Sequence, residues 1–152
     1  MVYPLTRVHL VSDSPRLLLV EKDPGDETLI VDALRSAGFV EAIGIAHDGA
    51  EALEYLFASD RGADANPRVV LLSSALGDLS VTEVLIRMRE QKKTRLIPVV
   101  IFGSSPREEE IRDWYLAGAS SCISRPDEFD QFVRSVQAIG TYWLILNQIA
   151  LD

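Results

Sequence analysis

Apolar residues fall along this chain in two alternating rhythms. Leu17-Leu18-Leu19-Val20, Val69-Val70-Leu71-Leu72 and Val99-Val100-Ile101-Phe102 are continuous runs, while the stretches between them carry apolar residues at about every third or fourth position. A strand buried on both faces needs the first rhythm and an amphipathic helix the second. The pattern therefore predicts parallel strands covered by helices. Val40 to Ala46 and Cys122-Ile123-Ser124 complete a set of five strands.

Each gap between strands opens on a helix start signal. Asp23 is placed to cap a first helix, with Pro24 at its first position and Asp26 in its first turn. Leu29, Ile30, Ala33, Leu34 and Ala37 form its apolar face, and Gly38 ends it. Asp48 caps the second helix, with Leu53, Leu56 and Phe57 inward, and Asp60 to Pro67 is the longest irregular stretch. Ser80 and Glu83 have capping-box spacing ahead of Val84, Leu85 and Met88. Ser105-Pro106-Arg107-Glu108 repeats that signal before Ile111, Trp114 and Tyr115. The last helix starts near Asp127 and carries Phe129, Phe132, Val133, Val136, Ile139, Gly140 and Trp143 at helical spacing. Five alternations predict a doubly wound α/β sandwich with strand order 2-1-3-4-5, whose sites belong at the carboxyl ends of the strands. The expected organisation is a flexible lead-in over 1–15, one domain over 16–146 and a tail over 147–152.

Composition narrows what such a domain does. A length of 152 residues suits one domain, and a net charge of −8 repels phosphate backbones, which excludes bulk nucleic-acid binding. The basic cluster Arg87, Arg89, Lys92, Lys93 and Arg95 coincides with the end of the third helix, where cations complement the dipole. Cys122, the single cysteine, sits in an apolar strand and reads as a small buried hydrophobe in a reducing cytoplasm. No run approaches membrane-spanning length and residues 1–15 hold no cleavable signal pattern, so a cytoplasmic protein with no membrane partner is expected. Two histidines and one cysteine are too few for a zinc site, and Walker, dinucleotide and Gly-x-Ser-x-Gly motifs are absent. Neither a metal, a cofactor nor an enzymatic activity is expected.

The strand layout, with Asp48-Gly49-Ala50-Glu51-Ala52-Leu53 between the first two continuous runs, resembles the receiver domain of two-component response regulators over residues 16–146. Val20-Glu21-Lys22-Asp23-Pro24, the long loop after the second helix, Ile97-Pro98 and Tyr142-Trp143-Leu144 are similar to the single-domain receivers that partner bacterial phytochromes. The resemblance implies a flavodoxin/CheY-like five-stranded fold. It also implies a pocket in which an acidic pair and an acceptor Asp hold magnesium, while a Thr or Ser and a Lys read the phosphoryl group.

This chain departs from that pocket at every chemical position. Lys22 falls on the second acid, and a fixed cation there competes with a metal. Asp23, one residue later, is a helix cap before it is a ligand. Ser73 falls on the acceptor, and a serine hydroxyl attacks phosphorus only with an adjacent base, which neither His9 nor His47 is placed to supply. Gly103 replaces the Thr or Ser and has no hydroxyl, and Arg125 replaces the Lys with a planar fork suited to carboxylates. Pro126 after it is kept. Cys122 takes the place of the aromatic lever. Glu21 is accordingly expected to pair with Lys22 or Arg125.

The expected protein is a pseudo-receiver: independent of phosphorylation, acting through contact with a histidine kinase or other signalling protein. Two rivals stand beside it, a phosphoacceptor using Ser73, Ser74 or Asp78 and a small-molecule sensor binding at the strand ends. The segment from Thr141 to Leu151 is apolar on more than one helical face, leaving Tyr142, Trp143, Ile145 and Ile149 as candidate interface residues. The resemblance implies that they form a homodimer.

Overall fold

A computed structural model describes residues 9–10, 16–39, 43–58 and 65–150. Its sheet holds β1 (His9–Leu10), β2 (Leu17–Val20), β3 (Ile43–Ala46), β4 (Val69–Ser73), β5 (Val99–Gly103) and β6 (Ser121–Ser124) in the order β1-β3-β2-β4-β5-β6. From β3 to β6 the neighbours are parallel, giving the five-strand order expected from the sequence. The addition is β1, which pairs antiparallel with β3, His9 opposite Ile45 and Leu10 opposite Gly44. The sequence run Val8-His9-Leu10-Val11 is too short to show a periodicity, and it falls in a segment read as a lead-in. The rest of 1–15, residues 40–42 of the expected second strand, residues 59–64 and residues 151–152 lie outside the described residues.

Continuous apolar runs build the middle of the sheet because alternate residues enter different cores. Leu18, Val20, Val70, Leu72 and Ile101 belong to one core, and Leu17, Leu19, Val69, Leu71, Val100 and Phe102 to the other. The first lies under α2 (Gly49–Leu56), α3 (Val81–Glu90) and α4 (Glu108–Ala117). The second lies under α1 (Pro24–Ser36) and α5 (Phe129–Thr141), which runs into a π-helical turn over Tyr142–Leu146. Fully buried leucines such as Leu17 and Leu72 each stabilise the fold by roughly 1.5–3 kcal/mol.

Side-chain caps start the helices where the sequence placed them. Asp23 accepts from the Asp26 N–H at 2.8 Å, Asp48 from the Glu51 N–H at 2.8 Å and Ser80 from the Glu83 N–H at 3.1 Å. Two starts differ. Arg107, not Ser105, precedes α4, and the Glu110 carboxylate accepts from its backbone N–H at 3.0 Å and its Nε at 3.2 Å. Ser105 instead takes φ +45°, in the left-handed region, and turns the chain. The start of α5, expected near Asp127, is capped by Glu128, which accepts from the Gln131 N–H at 2.7 Å. The apolar faces are also narrower than the sequence suggested, since Leu29, Tyr115 and Phe129 are exposed.

Two sets of cations hold the elements together through backbone carbonyls. Arg16 and Arg68 stand just before β2 and β4, and donate to the carbonyls of Leu144 and Asn147, the latter at 2.7 Å. Arg89 donates to Arg95 at 2.9 Å, Ile97 at 2.7 Å and Gly118 at 2.8 Å, and Lys93 to Ala58. Two members of the basic cluster thus close backbone groups around the end of α3.

Candidate functional site

Parallel strands deliver their last residues to one edge, and there Glu21, Ser73, Gly103 and Arg125 stand at or just beyond the ends of β2, β4, β5 and β6. The backbone of Arg125 is fixed by donation of its N–H to the Gly103 carbonyl at 2.7 Å, one step past the β5–β6 ladder. Its side chain turns inward, only 12% exposed, against a Glu21 side chain that is 3% exposed. Arg125 Nη2 meets Glu21 Oε1 at 3.0 Å and donates to the Phe102 carbonyl at 3.1 Å, while Nη1 meets Asp26 Oδ2 at 2.8 Å. The guanidinium carbon lies 4.8 Å from the centre of the Phe102 ring and 6.0 Å from that of Phe132. One cation is thus shared by two carboxylates and faces an aromatic ring, an arrangement that suits arginine far better than lysine.

The remaining donors are committed elsewhere. Glu21 Oε2 accepts from the Asp23 N–H at 3.1 Å, and Asp23 caps α1. Lys22 is exposed and lies along the β4–α3 loop, where a Cβ on Gly77 would stand 2.8 Å from its Cδ. Of the two partners considered for Glu21, the geometry gives Arg125. Ser73 is buried and its Oγ accepts a long bond from the Ala75 N–H at 3.4 Å. Asp78 turns away to hold the start of α2, accepting from the N–H groups of Gly49 at 3.0 Å and Ala50 at 2.9 Å. Burial pushes its carboxyl pKa up, but the N–H groups of Ala50, Leu79 and Gly49 outweigh this and hold it below the usual carboxylate value.

Magnesium, which the resemblance implied, does not fit this donor set. It asks for hard oxygen ligands in octahedral array, and both Glu21 oxygens already face N–H donors. Among the described residues, no three His, Cys, Asp or Glu side chains converge to hold a metal. What lies at the strand ends is a cleft of about 390 Å³ with Glu21, Lys22, Ser73 and Arg125 in its lining, together with Asp26 and Phe132.

Gly103 and Cys122 do not line that cleft. At Gly103 a Cβ would meet the Pro106 ring at 3.4 Å. Cys122 is part-buried, its N–H donates to the Tyr115 hydroxyl at 3.1 Å, and burial pushes its thiol pKa up against a weaker opposing hydrogen bond from Tyr115. The tail residues lie away from the cleft: Tyr142, Ile145 and Ile149 are exposed, and Trp143 is part-buried with its ring edge-on to Tyr142 at 4.9 Å. Sequence reasoning missed Asp26, Phe102 and Phe132 as partners of Arg125. It also missed His47, whose Nε2 lies 3.0 Å from Glu27 Oε1 and whose N–H donates to Glu51 at 2.8 Å.

No family model matches the chain. A relative named "Probable methanogenesis regulatory protein FilR2", from Methanothrix harundinacea (strain 6Ac), is 33% identical over 132 residues, covering 87% of this chain and 85% of its own length. The structure of the phosphorylated cyanobacterial phytochrome response regulator RcpA matches with a TM-score of 0.79 at 26% identity, over 91% of this chain and 99% of that one. The bacteriophytochrome response regulator AtBRR matches with a TM-score of 0.65 at 33% identity, over 90% and 100%. Among the described residues no helix is long and apolar enough to cross a membrane. A five-strand order of 2-1-3-4-5, the strand-end placement of Glu21, Ser73, Gly103 and Arg125, and these likenesses agree: the chain belongs to the response regulator receivers.

Proposed function

We propose that this protein is a pseudo-receiver, a cytoplasmic signalling module that works without phosphorylation and without catalysis, by contact with a histidine kinase or another signalling protein. The observation that carries this reading is the Arg125 guanidinium between Glu21 and Asp26 at 3.0 and 2.8 Å. In the pocket the family uses for a metal and a phosphoryl group, the charges are already compensated from within. A buried pair of this kind holds one arrangement, because separating it leaves an uncompensated charge out of water. The Ser73 hydroxyl accepts a long bond from the Ala75 N–H at 3.4 Å, and Asp78 is committed to α2. Output then lies in a fixed surface. The exposed apolar residues Tyr142, Ile145, Leu146 and Ile149, carried on an end that Arg16 and Arg68 hold in place, support a homodimer through the last helix and tail.

Incubation with radiolabelled acetyl phosphate and magnesium tests the first claim. No residue is expected to take label, and stoichiometric labelling at Ser73, Ser74 or Asp78 would reject it. Sedimentation of the full chain tests the second: a concentration-dependent dimer is expected, lost in Tyr142→Gln/Ile145→Gln. One observation favours a second reading, a small-molecule sensor. The cleft of about 390 Å³ sets the buried Ser73 hydroxyl near Phe132. Visible absorbance of the purified protein, or a melting shift with a ligand panel, would favour that reading over the first.

A further inference from the structure

The junction of α3 and α4 carries a feature that the strand-end pocket does not use. Ile86 on α3 is 45% exposed and Leu116 on α4 is 76% exposed, unusual for large apolar side chains. With Ala117 they line a groove of about 490 Å³. Thr82, Ile86 and Glu90 follow each other at one-turn spacing on α3, and on α4 Leu116 and Ala117 stand three and four residues after Asp113, so each helix presents apolar residues one turn from a carboxylate. Neither Glu90 nor Asp113 forms an ion pair among the described residues. Arg89 also lines the groove, with its guanidinium committed to backbone carbonyls, while Arg87 and Arg112 are not part of the lining.

The groove is built before anything fills it. Arg89 donates from Nε at 3.1 Å and Nη2 at 2.8 Å to the Gly118 carbonyl just after α4, and from Nη1 at 2.7 Å to Ile97. One guanidinium thus ties the end of α3 to the end of α4 and sets their separation. Gly118 makes the tie possible: its φ is +116°, and a Cβ there would come within 2.8 Å of Arg89 Cγ. A wall already held in place loses little freedom on binding, which favours docking.

We propose that the α3–α4 groove is a docking site for a basic amphipathic helix of a protein partner. The apolar middle takes leucine-like residues one turn apart, and Glu90 and Asp113 take lysine or arginine on either side. The chain's net charge of −8 steers a basic partner in the same direction. That charge repels anionic membranes and nucleic acid, and a second copy would bring the same acidic lips.

The test uses the full chain and a fluorescein-labelled helical peptide of leucine, lysine and alanine with its leucines one turn apart between lysines. Its counterpart carries glutamate for every lysine. Anisotropy titration is expected to show saturable binding of the lysine peptide and at least about tenfold weaker binding of the other. Ile86→Gln/Leu116→Gln is expected to weaken binding about tenfold, and Glu90→Gln/Asp113→Asn to weaken it and flatten its salt dependence. These positions are exposed, so circular dichroism should be unchanged, with Ile86→Ala/Leu116→Ala as a second pair. Amide shifts in the isotope-labelled protein should gather on α3 and α4. The proposal is overturned by equal binding of both peptides, by none, by indifference to Ile86→Gln/Leu116→Gln, or by shifts gathered on α5 and the tail. Anionic vesicles that bind in place of the peptide, and are lost with the same substitutions, would also overturn it.

Discussion

The two ends of the sheet both rest on arginines, and they use them in opposite ways. At the carboxyl end Arg125 sits between the carboxylates of Glu21 and Asp26. At the amino end Arg16 and Arg68 donate to the neutral carbonyls of Leu144 and Asn147. A carboxylate that already shares a guanidinium has its charge compensated and is a poor ligand for a metal. A carbonyl held by a guanidinium gives up no ionic chemistry and only gains a fixed position. The first end therefore has its charges met from within, and the second has the backbone of the chain's last turn fixed in place.

The strongest way to break this contrast is Arg125→Met. It leaves Glu21, whose side chain is 3% exposed, without its cation, and the expected loss is about 3–5 kcal/mol in urea unfolding. Adding Glu21→Gln to the same chain should return much of that loss, because the stranded charge is gone. An Arg125→Met chain as stable as the parent would mean that the pair does not hold the pocket. Arg68→Met probes the other end and should cost less, about 1–2 kcal/mol, since only hydrogen bonds to carbonyls are lost. Faster hydrogen exchange should then be confined to 142–147, leaving the strand ends unchanged.

Much of this was legible in the sequence, for physical reasons that also mark where legibility stopped. The runs at Leu17 and Val69 announce strands because both of their faces are buried, and a chain with no polar alternation has few other places to go. His9–Leu10 announces nothing, because two residues pairing with β3 have no pattern to repeat. Strand ends locate Glu21, Ser73, Gly103 and Arg125, yet they do not choose between Lys22 and Arg125 as the partner of Glu21. That choice rests on the loop at Gly77, whose φ of +86° lets Lys22 lie along it. Asp26 was hidden because its place in the first turn of α1 was already explained by the helix dipole. Phe102 and Phe132 were hidden because a core aromatic residue looks the same in sequence whether or not a cation lies over it.

Acid separates the two ends more gently than mutation does. Asp78, in the loop after β4, holds the Gly49 and Ala50 N–H groups at 3.0 and 2.9 Å, and its pKa lies below the usual carboxylate value. Its contribution is therefore complete above the pKa that it has unfolded, and is lost as pH falls through the lower folded value. Solvent reaches this carboxylate, so screening keeps the contribution small, about half a kcal/mol or less. The carbonyls that Arg16 and Arg68 hold do not titrate in this range. Exchange protection should thus fall first at Gly49 and Ala50 as pH is lowered, before the Asn147 amide, which donates to Tyr142 at 2.7 Å. In Asp78→Asn that early loss should flatten, because the side chain no longer changes charge. Were Asn147 to open first, the tail would depend on ionised groups too, and the division between an ionic end and a neutral one would fail.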